Sequence, residues 1–364
     1  MNKAKLSVVI AGGGTAGHIE PALAVGEALK TEHGARITAL GTKKGLEGEI
    51  IPARGVDLRM IDPVPIPRKP SMDMAKLPYR LSKAVLQTRA VLKNVNAQAV
   101  FGTGGYVAAP AYLAAKSMGL PFYVLETNAL AGMANKLGVK LGGVGLNATP
   151  NSGMAGEVVG IPVRSELGQD PDGEAAARGR EQWGLDDSKP VLLVTGGSQG
   201  AASINAAVAE ALPGLLEHVQ VLHAYGPRNE APQAEEGYVP VPYIDDMAAA
   251  IAVADLTVCR SGAMTVAEIT AAGLPAIYVP LPHGNGEQAL NSQPVVDAGG
   301  AVMIPDAELD GQRLTEEVMQ IARDPHKREE MVAAAESSGA GDVSKMLADR
   351  IAAHVRKEQE KDSN

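Results

Sequence analysis

The sequence predicts an α/β protein made of two Rossmann-like parallel-sheet domains facing an interdomain cleft, and three observations carry that expectation. An apolar run at 6–11 leads into Gly12-Gly13-Gly14-Thr15-Ala16-Gly17-His18 and then into a helical stretch. The same plan recurs in the second half, where Val191-Leu192-Leu193-Val194-Thr195 runs into Gly196-Gly197-Ser198-Gln199-Gly200. A strand that ends in glycines and then starts a helix aims backbone N–H groups at one point, which suits an anion, usually phosphate. Finally, the chain of 364 residues exceeds what one hydrophobic core supports.

The elements follow in order. In the first half, short apolar runs at 6–11, 35–40, 56–61, 97–101 and 122–125 read as strands, and 21–30 reads as a helix with Leu23, Ala24 and Ala28 on one stripe. Apolar runs bounded by Gly and Pro, with helices between them, indicate a parallel sheet. In the second half the strands are expected at 191–195, 219–223, 256–259, 276–279 and 301–303, and the helices at 203–212, 247–252, 264–272 and 288–298. The boundary falls at Ile161-Pro162-Val163-Arg164, giving a first domain over 1–163 and a second over 164–341. The polar stretch 165–189 reads as a linker. Within 342–364, residues 347–355 read as a helix able to pack back on the first domain, and 357–364 as a disordered charged tail.

Composition narrows the function. Hydrophobic residues make up 45% and charged residues 21%, an ordinary globular balance. The formal net charge of −9 and an aromatic content of 3% argue against nucleic acid as a partner. The single cysteine, Cys259, ends an apolar run and reads as a small buried hydrophobe; with no disulfide possible inside the chain, a reducing compartment is expected. No stretch approaches the roughly 18 apolar residues of a membrane span, and the start lacks a signal-peptide pattern, so membrane contact is expected to be peripheral.

Gly12-x-Gly14-x-x-Gly17 matches the dinucleotide pattern. A nicotinamide site also needs an acidic residue ending the second strand, and that strand ends at Gly41-Thr42-Lys43-Lys44. The lysines leave a 2′-phosphorylated dinucleotide open as an alternative, without any constellation for hydride transfer. His18 opens the helix after the loop, where the positive helix end disfavours its charged form, so a neutral imidazole can accept a proton; the alternative is a histidine that only packs.

In the second half, four segments should meet at the carboxyl ends of the strands, where open α/β sheets bind ligands. They are Gly196–Gly200, Tyr243-Ile244-Asp245-Asp246-Met247, Arg260-Ser261-Gly262-Ala263-Met264-Thr265-Val266-Ala267-Glu268, and 282–291. Glu268 sits where a carboxylate can accept both ribose hydroxyls while the helix start takes a diphosphate; a solvated glutamate is the alternative. Asp245-Asp246 reads more simply as a helix N-cap. Gln288 and Asn291 share a helix face and can reach sugar hydroxyls, or merely line a polar surface. Asp170-Pro171-Asp172 has the form of a metal–nucleotide motif but lies in linker composition.

With these residues in view, the chain resembles the MurG family of N-acetylglucosaminyltransferases. The resemblance rests on Gly13-Gly14-Thr15-Ala16-Gly17-His18, Gly102-Thr103-Gly104-Gly105-Tyr106, Glu126-Thr127-Asn128, Ile161-Pro162-Val163-Arg164, Gly196 to Ala201, Ile244 to Met247 and Cys259 to Glu268, in family order. It implies a GT-B fold and an inverting transfer, with no metal or other cofactor, from UDP-N-acetylglucosamine to the 4-hydroxyl of undecaprenyl-diphospho-N-acetylmuramoyl-pentapeptide. It implies His18 as the general base, with Glu126 as the second choice. It places Thr15, Ala16, Gly17, Tyr106, Asn128, Arg164, Ser198, Ile244, Ala263, Met264, Thr265, Val266, Glu268 and Gln288 against the substrates. The first loop departs from the family's Gly-Gly-Thr-Gly-Gly-His at Ala16, so the backbone there cannot need a strongly positive φ. Leu125 and Thr127 stand where the family often has histidine and glutamine, and Glu287 where it has a neutral amide.

A lipid-linked acceptor places the enzyme peripherally at the cytoplasmic face of the membrane, and cell-wall synthesis proteins become partners. The stretch 65–93 offers a surface for anionic lipid, with Met72, Met74, Leu77, Leu81, Val85 and Leu86 among Arg68, Lys69, Lys76, Arg80, Lys83 and Arg89. Two rivals share the donor: a UDP-N-acetylglucosamine 2-epimerase, which needs no acceptor, and a non-catalytic nucleotide-sugar-binding subunit, which shows no turnover.

Overall fold

The computed structural model describes residues 5–43, 45–64, 72–164, 170, 172–283, 286–338 and 341–362. The chain divides into two compact units, Met1–Arg164 with Asp342–Asn364, and Ser165–Gly341.

The first unit runs β1 (Ser7–Gly12), α1 (Ala16–His33), β2 (Arg36–Gly41), α2 (Glu47–Ala53), β3 (Asp57–Met60), α3 (Met72–Asn94), β4 (Ala99–Gly104), α4 (Ala108–Ser117), β5 (Phe122–Glu126), α5 (Met133–Lys140), β6 (Val144–Asn147) and β7 (Glu157–Val158). Its seven strands are parallel in the order β3-β2-β1-β4-β5-β6-β7. The order reverses between β1 and β4, so the loops after these strands diverge and leave a crevice at their carboxyl ends. All six residues of β1 are buried. Val8 and Ile10 face a layer containing α1, whereas Val9 and Ala11 face one containing α4. Helices on both faces explain why the strand reads as a continuous apolar run rather than an alternation.

The second unit runs α6 (Glu174–Trp183), β8 (Val191–Thr195), α7 (Ala202–Leu216), β9 (Gln220–Ala224), β10 (Tyr238–Val241), α8 (Met247–Val253), β11 (Leu256–Cys259), α9 (Ala263–Ala271), β12 (Ala276–Tyr278), α10 (Glu287–Asp297), β13 (Ala301–Met303), α11 (Gly311–Ala322) and α12 (Pro325–Ser338). Its six strands are also parallel, ordered β10-β9-β8-β11-β12-β13, with the reversal between β8 and β11. A last helix, α13 (Val343–Asp362), belongs to the first unit, where Leu347, Ile351 and Val355 pack with Val25 and Leu29 of α1.

Two expectations need correction, and one strand was not foreseen. Residues 357–362 are helical, not disordered: α13 runs on because Lys-Glu-Gln-Glu-Lys contains strong helix formers and no breaker. The polar stretch 165–189 contains α6 rather than linker alone. Asp170 opens that helix by accepting from the N–H groups of Ala175 (3.0 Å) and Ala176 (2.9 Å), and Trp183 buries its ring in the core. Asp170 is thus a helix cap, while Pro171 of the Asp-x-Asp motif lies outside the described residues. β10 escaped the sequence reading because Pro240 interrupts it; a proline is tolerated there because β10 is the edge strand.

Cys259 is fully buried, and burial pushes its thiol up to about 12, consistent with a packing role. A second buried group carries a prediction. His223 on β9 pairs through Nδ1 with the Tyr238 hydroxyl (2.9 Å) and through Nε2 with Asn205 Oδ1 (3.1 Å). Burial pushes its imidazole down to about 4. An unfolded histidine titrates near 6.5, so between these values the unfolded chain takes up a proton that the folded one refuses. Stability therefore falls as pH drops from about 6.5 towards 4, by up to about 3 kcal/mol from this residue. Calorimetry should show the midpoint falling over that window, with a shallower fall in His223→Gln; an equal slope in the variant removes His223 as the cause.

Candidate active site

In the first unit, the expected residues gather at the carboxyl edge of the sheet. β1 ends at Gly12, Gly14 turns with φ +89°, and Thr15 enters α1 with extended backbone (φ −134°, ψ 157°). Thr15 makes no side-chain cap, so the first N–H groups of α1 are not closed by a hydroxyl. Ala16 is the first helical residue, and its Cβ costs nothing there.

His18 is half-buried. Its carbonyl accepts from the Thr103 hydroxyl at 2.5 Å, and its ring lies over Gly104, where a Cβ would stand 2.9 Å from both Cε1 and Nδ1. The loops after β1 and β4 touch through backbone: a Cβ on Gly105 would stand 1.9 Å from the Gly13 carbonyl oxygen. The Tyr106 ring, 49% exposed, covers Gly14. Arg164 places Nε 3.8 Å from Glu20 Oε2 on α1, two residues beyond His18, so Arg164 belongs to the first unit.

Glu126 ends β5. Its buried carboxylate accepts four hydrogen bonds: Oε1 from the Asn128 backbone N–H (3.0 Å) and Nδ2 (3.2 Å), and Oε2 from Gly132 N–H (2.9 Å) and Asn135 Nδ2 (2.9 Å). Lone pairs so engaged hold a loop and orient Asn128. Asn135, on α5, also reaches the Leu125 carbonyl (3.1 Å) and accepts from the Tyr112 hydroxyl (3.0 Å). Sequence reasoning missed Asn135. Its signal was a single amide among small and apolar residues, Met133-Ala134-Asn135-Lys136-Leu137-Gly138.

The second unit repeats the arrangement. Thr195 Oγ1 accepts from the Gly197 N–H (3.2 Å), and Asn229 Nδ2 donates to the Gln199 carbonyl (3.0 Å), so the loop after β8 is held from both sides with Ser198 exposed. Asp246 caps α8 by accepting from the Ala249 N–H (3.0 Å), while α7 and α9 begin at Ala201 and Gly262 with no side-chain cap. Their open N–H groups lie after β8 and β11, on the two sides of the strand-order reversal. Ala263, Met264, Thr265 and Val266 form the first turn of α9, with Glu268 half-buried just beyond it. Ile244 is buried.

On α10, Gln288 Oε1 accepts from the Leu281 N–H (3.0 Å). Asn291 is buried and donates to the Ser261 carbonyl (3.3 Å), so it joins α10 to the start of α9. Gly284 and Asn285 of the fourth segment lie outside the described residues.

Known sequences and structures agree with this layout. The glycosyltransferase family 28 N-terminal domain matches residues 8–141, and the family 28 C-terminal domain matches 191–347. The chain belongs to family 28, within the MurG family. A family 28 relative from Corynebacterium efficiens, a UDP-N-acetylglucosamine–N-acetylmuramyl-(pentapeptide) pyrophosphoryl-undecaprenol N-acetylglucosamine transferase, is 62% identical over 96% of this chain and 98% of its own length. One of the same name from Mycolicibacterium smegmatis is 51% identical, covering 94% of this chain and 92% of its own. The crystal structure of Acinetobacter baumannii MurG superposes with a TM-score of 0.73 at 28% identity, over 95% of this chain and 99% of that one. A calicheamicin glycosyltransferase at 18% identity (TM-score 0.66, over 97% of this chain and 98% of its own) shows that the family 28 chain shares its fold. Both units are thus family 28 modules, which accounts for the glycine loop appearing in each half.

Proposed function

We propose that this chain moves N-acetylglucosamine from UDP-N-acetylglucosamine to the 4-hydroxyl of undecaprenyl-diphospho-N-acetylmuramoyl-pentapeptide, with inversion at the anomeric carbon. The observation that carries this reading is the 62% identity, spread over 96% of the chain, to a transferase of that name. That relationship favours transfer over 2-epimerisation and over a binding subunit.

In this reading the second unit holds the donor. Glu268 accepts the ribose hydroxyls, the Ile244 backbone meets uracil, and Gln288 contacts the sugar. Ser198, the first turn of α9 and Arg164 meet the diphosphate. Thr15, Ala16, Gly17 and Tyr106 receive the acceptor, and Asn128, oriented by Glu126, faces the sugar. His18 takes the proton of the acceptor hydroxyl as its oxygen bonds to the anomeric carbon; the bond to UDP breaks and the diphosphate carries away the charge. The uncapped starts of α7 and α9 are suited to stabilise that charge, each preorganised donor contributing about 3 kcal/mol.

The acceptor's lipid calls for a membrane surface at the cytoplasmic face, and α3 supplies a fitting one. Ala84, Thr88 and Leu92 form its buried seam, and Lys76, Tyr79, Lys83, Leu86, Arg89 and Lys93 are exposed. Of the named apolar residues with described side chains, Leu77, Leu81 and Val85 are half-buried and Leu86 is exposed. Residues 65–71, with Arg68 and Lys69, lie outside the described residues, and nothing is described of the Met72 and Met74 side chains. Among the described residues no helix is long and apolar enough to cross a membrane. Attachment through this face gives the enzyme access to a lipid-linked substrate and to cell-wall synthesis proteins.

The test is transfer of radiolabelled sugar from UDP-N-acetylglucosamine to a short-chain acceptor analogue with EDTA present. Transfer at an undiminished rate is expected. Product without acceptor points to epimerisation, and transfer only on adding a divalent ion overturns the metal-free mechanism.

A further inference from the structure

Arg260 lies between β11 and the Ser261-Gly262 turn into α9, yet its guanidinium is spent on other elements. Nη1 donates to the Val279 and Pro280 carbonyls (3.1 Å each) just after β12, and to Asp306 Oδ1 (2.5 Å). Nη2 donates to Ser203 Oγ (2.9 Å), whose hydroxyl donates in turn to the same Asp306 oxygen (2.6 Å). The Arg260 and Asp306 side chains are only 11% and 16% exposed. Ser203 is in the first turn of α7, and Asp306 opens a 3-10 turn past β13.

The flanks tied together here are those of the three donor segments. The loop 196–200 leads into α7, Ser261 to Glu268 follow Arg260 directly, and the stretch from Leu281 to Gln288 follows Pro280. Each segment leaves a different strand, and glycines at 196, 197, 200, 262 and 286 leave each one loosely determined by its own sequence. Ordering such backbone on binding costs conformational entropy, so a scaffold that orders it beforehand strengthens binding without adding a contact. A planar fork suits this task, because its donors keep fixed directions. Burial raises the Asp306 carboxyl, but the Ser203 and Arg260 hydrogen bonds and the arginine charge outweigh it and hold the group below its ordinary value.

We propose that Ser203, Arg260 and Asp306 are positioning residues, a partly buried hydroxyl–guanidinium–carboxylate clamp that sets the spacing of the three donor loops and thereby the affinity for the nucleoside diphosphate. The inference rests on the donor reading given above.

The test uses the full chain with Ser203→Ala, Asp306→Asn, Arg260→Lys and the Ser203→Ala/Asp306→Asn double variant, titrated calorimetrically with UDP and assayed for both KM values. Asp306→Asn and Arg260→Lys should weaken UDP binding about tenfold and raise the donor KM in step, with the acceptor KM unchanged. Ser203→Ala keeps the ion pair and the fold, and should weaken UDP binding about threefold. The double variant should be no weaker than Asp306→Asn alone, because the two groups act as one unit. A merely structural clamp lowers the unfolding midpoint but leaves the UDP Kd of the folded protein alone; a Kd for Ser203→Ala equal to the parent's overturns the proposal. A parent chain that does not bind UDP overturns the donor reading itself.

Discussion

Replacing His18 by alanine is expected to lower kcat by about a thousandfold while leaving UDP binding unchanged. A positioned general base contributes roughly 10²–10⁴ to proton transfer. The imidazole is well seated for that work. Its own carbonyl is fixed by Thr103, and its ring lies against Gly104, whose missing side chain provides the space. Because His18 stands in the first unit and the donor loops in the second, the loss should fall on turnover and not on donor affinity. Turnover within twofold of the parent would remove His18 from the chemistry and leave the donor site intact.

Glu126→Gln is expected to destabilise the first unit by about 2–5 kcal/mol, the largest stability change foreseen for a single polar substitution here. Four N–H groups converge on the carboxylate; Asn135 also reaches the Leu125 carbonyl, so the Asn128 and Gly132 donors depend on it most. A glutamine amide offers one oxygen and points an NH₂ at two of the donors, leaving buried groups unpaired at about 1–3 kcal/mol each. The unfolding midpoint should drop by roughly 5–15 °C. Activity should fall as Asn128 loses its orientation. Loss of activity together with stability marks a positioning carboxylate, whereas loss of activity with stability intact marks a base.

Much of this was legible before any coordinates. The two strand–glycine–helix units could be read directly because each is a local pattern in which an apolar run, a turn and a helix start fall within a few residues. The tolerance for Ala16 followed from the same local logic. Elements with mixed signals were missed: α6 sits in polar sequence, and β10 carries a proline that only its edge position allows. Polar residues were hardest to assign. Asp246 as a cap was foreseen because capping is local, whereas Glu126 and Asn291 gave no sign of which neighbours would claim them.

By itself, then, the chain's sequence determined two parallel nucleotide-type folds, the glycine loops at their strand ends and membership in family 28, all properties written over short spans. Only the tertiary structure decided which polar groups face a ligand and which hold the scaffold. Arg260 meets Asp306 from 46 residues away and Ser203 from 57, and Asp306 meets Ser203 across 103. The return of α13 to the first unit joins Lys345 to Glu32 across 313. A side chain's hydrogen bonds are fixed by whatever the folded chain brings within about 3 Å of it, and no local pattern records that.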